Sequence, residues 1–427
     1  MSELKKTITV WKGLVLAVSM VIGSGLLGLP GLTLETGSVY AAAGGWLLIS
    51  LAMIPLIYIF TSLGLNFTSS AGLSKYAQES VGDWGGHAVS AVLCGTFTIG
   101  IPALALIGGA YAQKLFNFPE SSVFGLAIAI LALMTLGNLM GVKFASLIYT
   151  TSFIALVVMV VVIIFSNIPF LNSGFKVFGE TITGKGAFNY RDLWRVSALL
   201  FWAFLGWENL SFGLEEFKNP KKTIPRVYWL SFLVVVLLYL GLAITSIGAQ
   251  VSGVTVKGAS GLTSLVNKTP IGFLLMIIMV LVILANANAW VFGASRLIYA
   301  SGRDGILPSF LGRLSKNSIP SASLISLLVV YTVVLLVTHF FKQLSVTTLI
   351  LLVSQNFIVL YAFSLFAYWK TEKSPHRWLL TLLAIISCIF LLSGFSWWII
   401  YPLILLSVGY ISNYRAKVAQ LNKSKQV

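Results

Sequence analysis

The amino-acid sequence predicts an all-α polytopic membrane protein of about twelve transmembrane helices, and three observations carry that expectation. Of 427 residues, 58% are hydrophobic and 9% charged, with a mean hydropathy of +0.94. Soluble domains hold roughly 45–50% apolar and about 25% charged residues. No core in a chain of this length could hide the surplus, so it must face lipid. Apolar runs near the roughly 20 residues needed to cross the hydrocarbon recur along the whole chain. The basic residues sit in the short gaps between those runs.

The net charge of +16 therefore reads as loop charge. A nucleic-acid surface would want a basic stripe or a recognition module, and neither is present. Cytoplasmic loops of membrane proteins do carry such an excess. The runs begin near Trp11, Ala41, Gly86, Val123, Phe144 and Leu193, then near Val227, Ile271, Ser321, Leu344, Trp378 and Ser396. The first follows a short basic head with Lys5, Lys6 and Lys12. It reads as an anchor rather than a cleaved signal, because it is long and further runs follow.

With the amino terminus in the cytoplasm, more than two-thirds of the 28 lysines and arginines fall on the cytoplasmic side. That asymmetry places both termini inside a multi-pass protein of the cell (inner) membrane. The longest outer loop, from about Asn167 to Arg191, is expected to be polar, with no soluble domain in it.

Cys94 and Cys388 lie inside apolar runs, and His87, His339 and His376 are isolated. Neither a disulfide framework, a metal site nor a cofactor is expected. A membrane enzyme would want clustered acids and histidines, and a channel would want pore-lining rings. Neither pattern is visible.

Two spans carry breaks. The first contains Ile22-Gly23-Ser24-Gly25-Leu26-Leu27-Gly28-Leu29-Pro30. Glycine costs a helix about 1 kcal/mol against alanine, and proline about 3. Small residues also allow close helix packing, but an unwound stretch lining a cavity fits this density better. The sixth span repeats the theme, with Gly206 two residues before Glu208, a carboxylate inside an apolar run. Paired breaks in corresponding spans point to a transporter site.

Spans 1 and 6 lie five apart, the spacing of a five-plus-five inverted repeat. The halves would be residues 1–168 and 190–370, with residues 374–427 adding two helices and a basic tail. The half-helix after the first break would present N–H groups and a positive dipole end to a carboxylate. Unwound carbonyls near Trp202 to Leu205 would suit an ammonium. Together they describe a receptor for an α-amino acid.

At these residues the sequence resembles the amino acid–polyamine–organocation superfamily, whose members share the LeuT-type fold. Gly23-Ser24-Gly25 is similar to that family's first-span motif. Phe201-Trp202 through Gly206-Trp207-Glu208 to Glu216-Phe217-Lys218-Asn219-Pro220 is similar to its sixth span and following loop. Ala294-Ser295-Arg296 with Gly302-Arg303-Asp304-Gly305 resembles the end of its eighth. Ile99-Gly100-Ile101-Pro102-Ala103 and the compact length resemble bacterial exporters of methionine and branched-chain amino acids.

The resemblance implies roles residue by residue. Gly23, Ser24 and Gly25 would bind the substrate carboxylate through their backbone. Trp202 would close over the substrate, with Leu205 and Gly206 among the unwound residues taking the amine. Glu208 would carry the proton linkage, against the plainer reading of a carboxylate hydrogen-bonded across the bundle. Thr98, Asn288 and Asn356 stand for the polar residues of a side-chain pocket on spans 3, 8 and 10. Each could equally serve as an interhelical hydrogen bond.

Two departures stand out. Sodium-coupled relatives place hydroxyls on span 8 against the first break, where this chain reads Ala285-Asn286-Ala287-Asn288-Ala289. Some proton-coupled relatives carry a lysine in span 5, where this chain reads Phe153-Ile154-Ala155-Leu156-Val157. The pocket stretches hold no acid or base. The expectation is a proton-linked exporter of methionine, leucine, isoleucine and valine, with the amino acid, the proton and the lipid bilayer as partners. A proton-coupled uptake permease is the alternative.

Overall fold

In hydrocarbon a backbone must satisfy its own N–H and C=O groups, and a helix does so within one segment. Each apolar run accordingly becomes a helix. The computed structural model describes residues 6, 8–67, 72–140, 145–207, 209–267, 269–303, 307–315, 319–341, 344–393 and 397–424.

The chain opens with α1 (Val10–Val21) and α2 (Ser24–Thr36), two halves of one span that meet at 40°. Then come α3 (Val39–Asn66), the short α4 (Gly72–Val81), α5 (Asp83–Phe116), α6 (Val123–Leu139), α7 (Ala145–Ser166) and α8 (Ile168–Ile182). The sixth span is α9 (Tyr190–Leu200), a 3-10 turn Phe201–Phe204, a break, and a 3-10 segment Asn209–Glu216. It is followed by α10 (Pro220–Val251), α11 (Thr263–Val266), α12 (Gly272–Arg303), α13 (Ser321–Phe340), α14 (Val346–Thr371), α15 (Arg377–Ser393) and α16 (Ile400–Ser424).

Among the described residues, α3, α5, α6, α10, α12, α13 and α14 are long and apolar enough to cross a membrane unbroken. The α1–α2 and α7–α8 pairs pass the same test as bent pairs. The protein is thus an all-α polytopic membrane protein. Among the described residues, the β-structure is an isolated parallel bridge between Ile8 and Phe217.

Burial sorts the helices. α5 and α14 bury 72% of their most apolar windows, against 28% for the α6 span and 33% for α13. The first two are central, and the others show lipid their large side chains, such as Leu133, Leu136 and Val329. Antiparallel contacts join the central pair: Trp84 meets Phe363 at 5.7 Å, and Asn356 Nδ2 donates to Thr96 Oγ1 at 3.2 Å. α16 packs on α5 backbone to backbone at Gly409 and Ala88. The Tyr401 hydroxyl donates to the Gly95 carbonyl at 2.8 Å.

The segment expected to be a polar outer loop is largely helical. α7 has 22 residues, about 33 Å of helix, so it needs no continuation to cross. α8 leaves it at 88° and docks on α10, where Gly174 and Gly248 allow backbone contact with Ile244 and Phe170. The Tyr40 hydroxyl ties α3 to α8 by donating to Glu180 Oε2 at 2.8 Å.

At the opposite end, Glu372 caps the turn from α14 to α15. Its Oε2 accepts from Ser62 Oγ at 2.6 Å, and its Oε1 accepts the N–H groups of Lys373 and Ser374 at 3.0 Å each. The Ser62 hydroxyl, ahead of the two backbone donors, holds the Glu372 carboxyl below its usual pKa. A depressed folded-state pKa stabilises at pH values above the unfolded one and is lost as pH falls through the folded value. Glu372→Gln should therefore lower thermal stability at neutral pH by about 1 kcal/mol. Thermal unfolding in detergent should show that difference shrinking below about pH 4. A gap that persists in acid would mean the carboxylate charge is not what holds the turn.

Candidate functional site

The break in the first span is confined to Ile22 and Gly23. Ile22 is extended (φ −82°, ψ 112°), and its N–H closes the last turn of α1 on Val18. Gly23, the N-cap of α2, has φ −139° and ψ −143°. α2 then runs through Gly25, Gly28 and Pro30 without stopping, so these residues serve packing rather than unwinding. A β-carbon on Gly25 would sit 3.0 Å from Trp202 Cδ1, and one on Gly28 would sit 3.0 Å from Ile107.

The sixth span breaks at Leu205 and Gly206. Leu205 is extended (φ −84°, ψ 149°), and Gly206 takes φ +120°, a region essentially reserved for glycine. A side chain there would also lie 2.6 Å from the Met20 carbonyl oxygen. The two breaks therefore touch, with Gly206 seated on the last turn of α1. Freed carbonyls of the sixth span are partly taken. Tyr239 on α10 donates to the Ala203 carbonyl at 2.6 Å, and the Leu205 N–H donates to that of Trp202 at 3.2 Å.

A cavity of about 320 Å³ begins at this junction, at the lower end of the roughly 300–1,000 Å³ usual for small-molecule sites. Its walls come from α1 (Ser19, Met20), Ile22 of the break, α5 (Phe97), α7 (Phe153, Leu156) and α12 (Asn286, Trp290). Among the described residues, the lining has no ionisable side chain. Ser19 spends its hydroxyl on the Leu16 carbonyl at 2.8 Å. Arg296 stands one turn along α12 from the wall residue Phe292, its guanidinium 3.5 Å over that ring.

Indoles close the other direction. Trp202 is 6% exposed and stacks on Trp290 at 6.5 Å and 14°. Phe97 meets Trp290 edge-on at 5.6 Å. Beyond them, the Gly258 N–H donates to the Gly31 carbonyl at 3.2 Å, so the loop before α11 lies on α2. The cavity is therefore on the α1 side of the break.

The structure brings Gly23, Gly25, Trp202, Leu205 and Gly206 together at the junction. Ser24 opens α2 beside them. Thr98, Asn288 and Asn356 are not among the cavity's lining residues. Thr98 Oγ1 donates to the Cys94 carbonyl at 2.9 Å within α5. Asn288 Oδ1 accepts from Asn138 Nδ2 on α6 at 2.8 Å. Asn356, fully buried, faces Thr96. Glu208 lies outside the described residues. The polar side chain that α12 does bring to the cavity is Asn286, two residues before Asn288, and α7 rather than α14 supplies the apolar wall. Among the described residues no cluster of His, Cys, Asp or Glu could hold a metal ion.

Two broken spans meeting at a cavity within a helical bundle define a membrane transporter by class. The chain belongs to the amino acid permease family, whose match covers residues 8–418. Its role is accordingly amino-acid transport rather than catalysis. It is 27% identical to the uncharacterized amino acid permease YecA of Bacillus subtilis, over 96% of this chain and 95% of the relative. It is 24% identical to the L-methionine/branched-chain amino acid exporter YjeH of Escherichia coli, over 95% of this chain and 96% of the relative. The branched-chain amino acid permease BcaP of Lactococcus lactis is 30% identical over a shorter stretch, 36% of this chain and 33% of the relative.

Proposed function

We propose that this permease exports neutral, largely apolar L-amino acids, with methionine, leucine, isoleucine and valine as its substrates. The observation that carries the reading is the cavity lining: its described residues are apolar and aromatic apart from Ser19, Asn286 and the Trp290 indole, and none of them is a counter-charge. Burying an unpaired charge costs far more than burying an apolar side chain gains. Arg296 beside the wall residue Phe292 further disfavours cationic substrates. The names of the Escherichia coli and Lactococcus lactis relatives point to the same substrate class, and the former supports export.

In this reading the α-carboxylate sits at the first N–H groups of α2, where the helix dipole favours negative charge. The ammonium faces carbonyls of the sixth-span break, and Trp202 covers the pair. The two breaks lie five spans apart, which supports the inverted-repeat architecture; both termini are assigned to the cytoplasmic side of the inner membrane. The cavity on the α1 side would then face the cytoplasm, the side from which an exporter loads. Proton linkage is assigned to Glu208, from its place in the sequence two residues after the Gly206 break.

Purified protein in liposomes should exchange labelled methionine. Unlabelled methionine, leucine, isoleucine or valine should compete, while arginine and glutamate should compete at least about 100-fold more weakly. Arginine competing as well as methionine would contradict the assignment of substrate class.

The proton linkage has its own test. Flux should change between mildly acidic and neutral pH, and Glu208→Gln should keep methionine binding while flattening that profile. A Gln variant with the wild-type pH profile would place the coupling elsewhere.

A further inference from the structure

The break in the first span interrupts its hydrogen-bond ladder inside an apolar span. Carbonyls in the last turn of α1 and N–H groups in the first turn of α2 lose their helical partners there. A side-chain carboxamide is the neutral group that offers both donors and an acceptor. Asn286 of α12 is in that position. A β-carbon at Gly23 would overlap the nitrogen, oxygen and carbon of its carboxamide about equally, so the amide lies flat on Gly23. Asn286 also lines the cavity, whose other walls are α1, α5 and α7.

We propose that Asn286 is a positioning residue that pins the broken first span to α12, its carboxamide standing in for the hydrogen-bond partners the break removes. The pin sits where α1 would part from α12 and α7 if the cavity widened, so releasing it is the step that widens the cavity. Gly23 is required because the pin fills the space of a side chain. The neighbouring Ala285 and Ala289 are small, and among the described residues no ionisable side chain lines the cavity around the carboxamide. The proposal deepens the transport reading but does not need a substrate to be tested.

The test uses the full chain with Cys94→Ala and Cys388→Ala and one reporter thiol, Ala289→Cys on the cavity wall. The rate of N-ethylmaleimide alkylation, without substrate, reports how often the cavity is open. Asn286→Ala should raise that rate about 10-fold. Asn286→Leu keeps the shape and loses the donors and acceptor, so it should behave like the alanine variant. Asn286→Asp should alkylate faster than wild type at neutral pH. It should fall back toward the wild-type rate in mild acid, where the protonated acid again offers a donor and an acceptor. Rates are compared with the same reporter in the unsubstituted chain at each pH. An Asn286→Leu variant as slow as wild type, or an aspartate variant with no such pH recovery, would overturn the proposal. Either outcome leaves the substrate assignment standing. Wild-type liposomes that exchange no methionine would overturn that assignment alone.

Discussion

Everything at this site follows from one constraint: an unwound backbone inside a membrane must find partners for its N–H and C=O groups. The two breaks meet that constraint by leaning on each other and on polar side chains from neighbouring helices. Gly206 seats on the last turn of α1. The Tyr239 hydroxyl takes the Ala203 carbonyl of the sixth-span break. Tyr239 is fully buried. Leaving one such carbonyl without a partner would cost on the order of 1–3 kcal/mol. The site is therefore held open by its surroundings, ready to offer backbone groups to a ligand.

The same packing makes the two sides of the break unequal. On the α2 side, the stacked Trp202 and Trp290 indoles and the Gly258–Gly31 backbone contact fill the space. On the α1 side the aromatic and aliphatic walls stand apart and leave the cavity. Alternating access asks for this asymmetry, and for its reversal. The central α5 and α14 pair, with α16 tied to α5 by Tyr401, forms the frame against which the broken spans would move.

Much of this was legible in the sequence, and what was not has physical reasons. Hydrophobicity marks helices that must face lipid, so most of the apolar runs begin within a few residues of a helix start, though the run at Val227 begins about two turns inside α10. Gly23 and Gly206 mark the breaks, Gly206 because its φ of +120° excludes other residues and Gly23 because Asn286 fills the space of a side chain. The alternation Ala285-Asn286-Ala287-Asn288-Ala289 could not show which asparagine faces the cavity. Residues two apart on a helix point about 200° from each other, and the choice rests on how α12 is rotated against α1 and α6. Asn286 reached Gly23, and Asn288 reached Asn138 instead. The α8 helix was missed although Phe170, Gly174, Val177 and Phe178 repeat at helical spacing, because the polar residues between them read as loop.

The claim at the centre of this account is that the substrate sits where the two breaks meet, in the cavity between α1, α5, α7 and α12. Photo-methionine, a diazirine analogue, would report its place directly when crosslinked to purified protein and mapped by mass spectrometry. The account predicts label on the peptides carrying Ser19 to Ile22, Phe97 and Asn286 to Trp290, displaced by excess methionine. Label confined to lipid-facing residues such as Leu133 or Val329, or label that methionine does not displace, would contradict it.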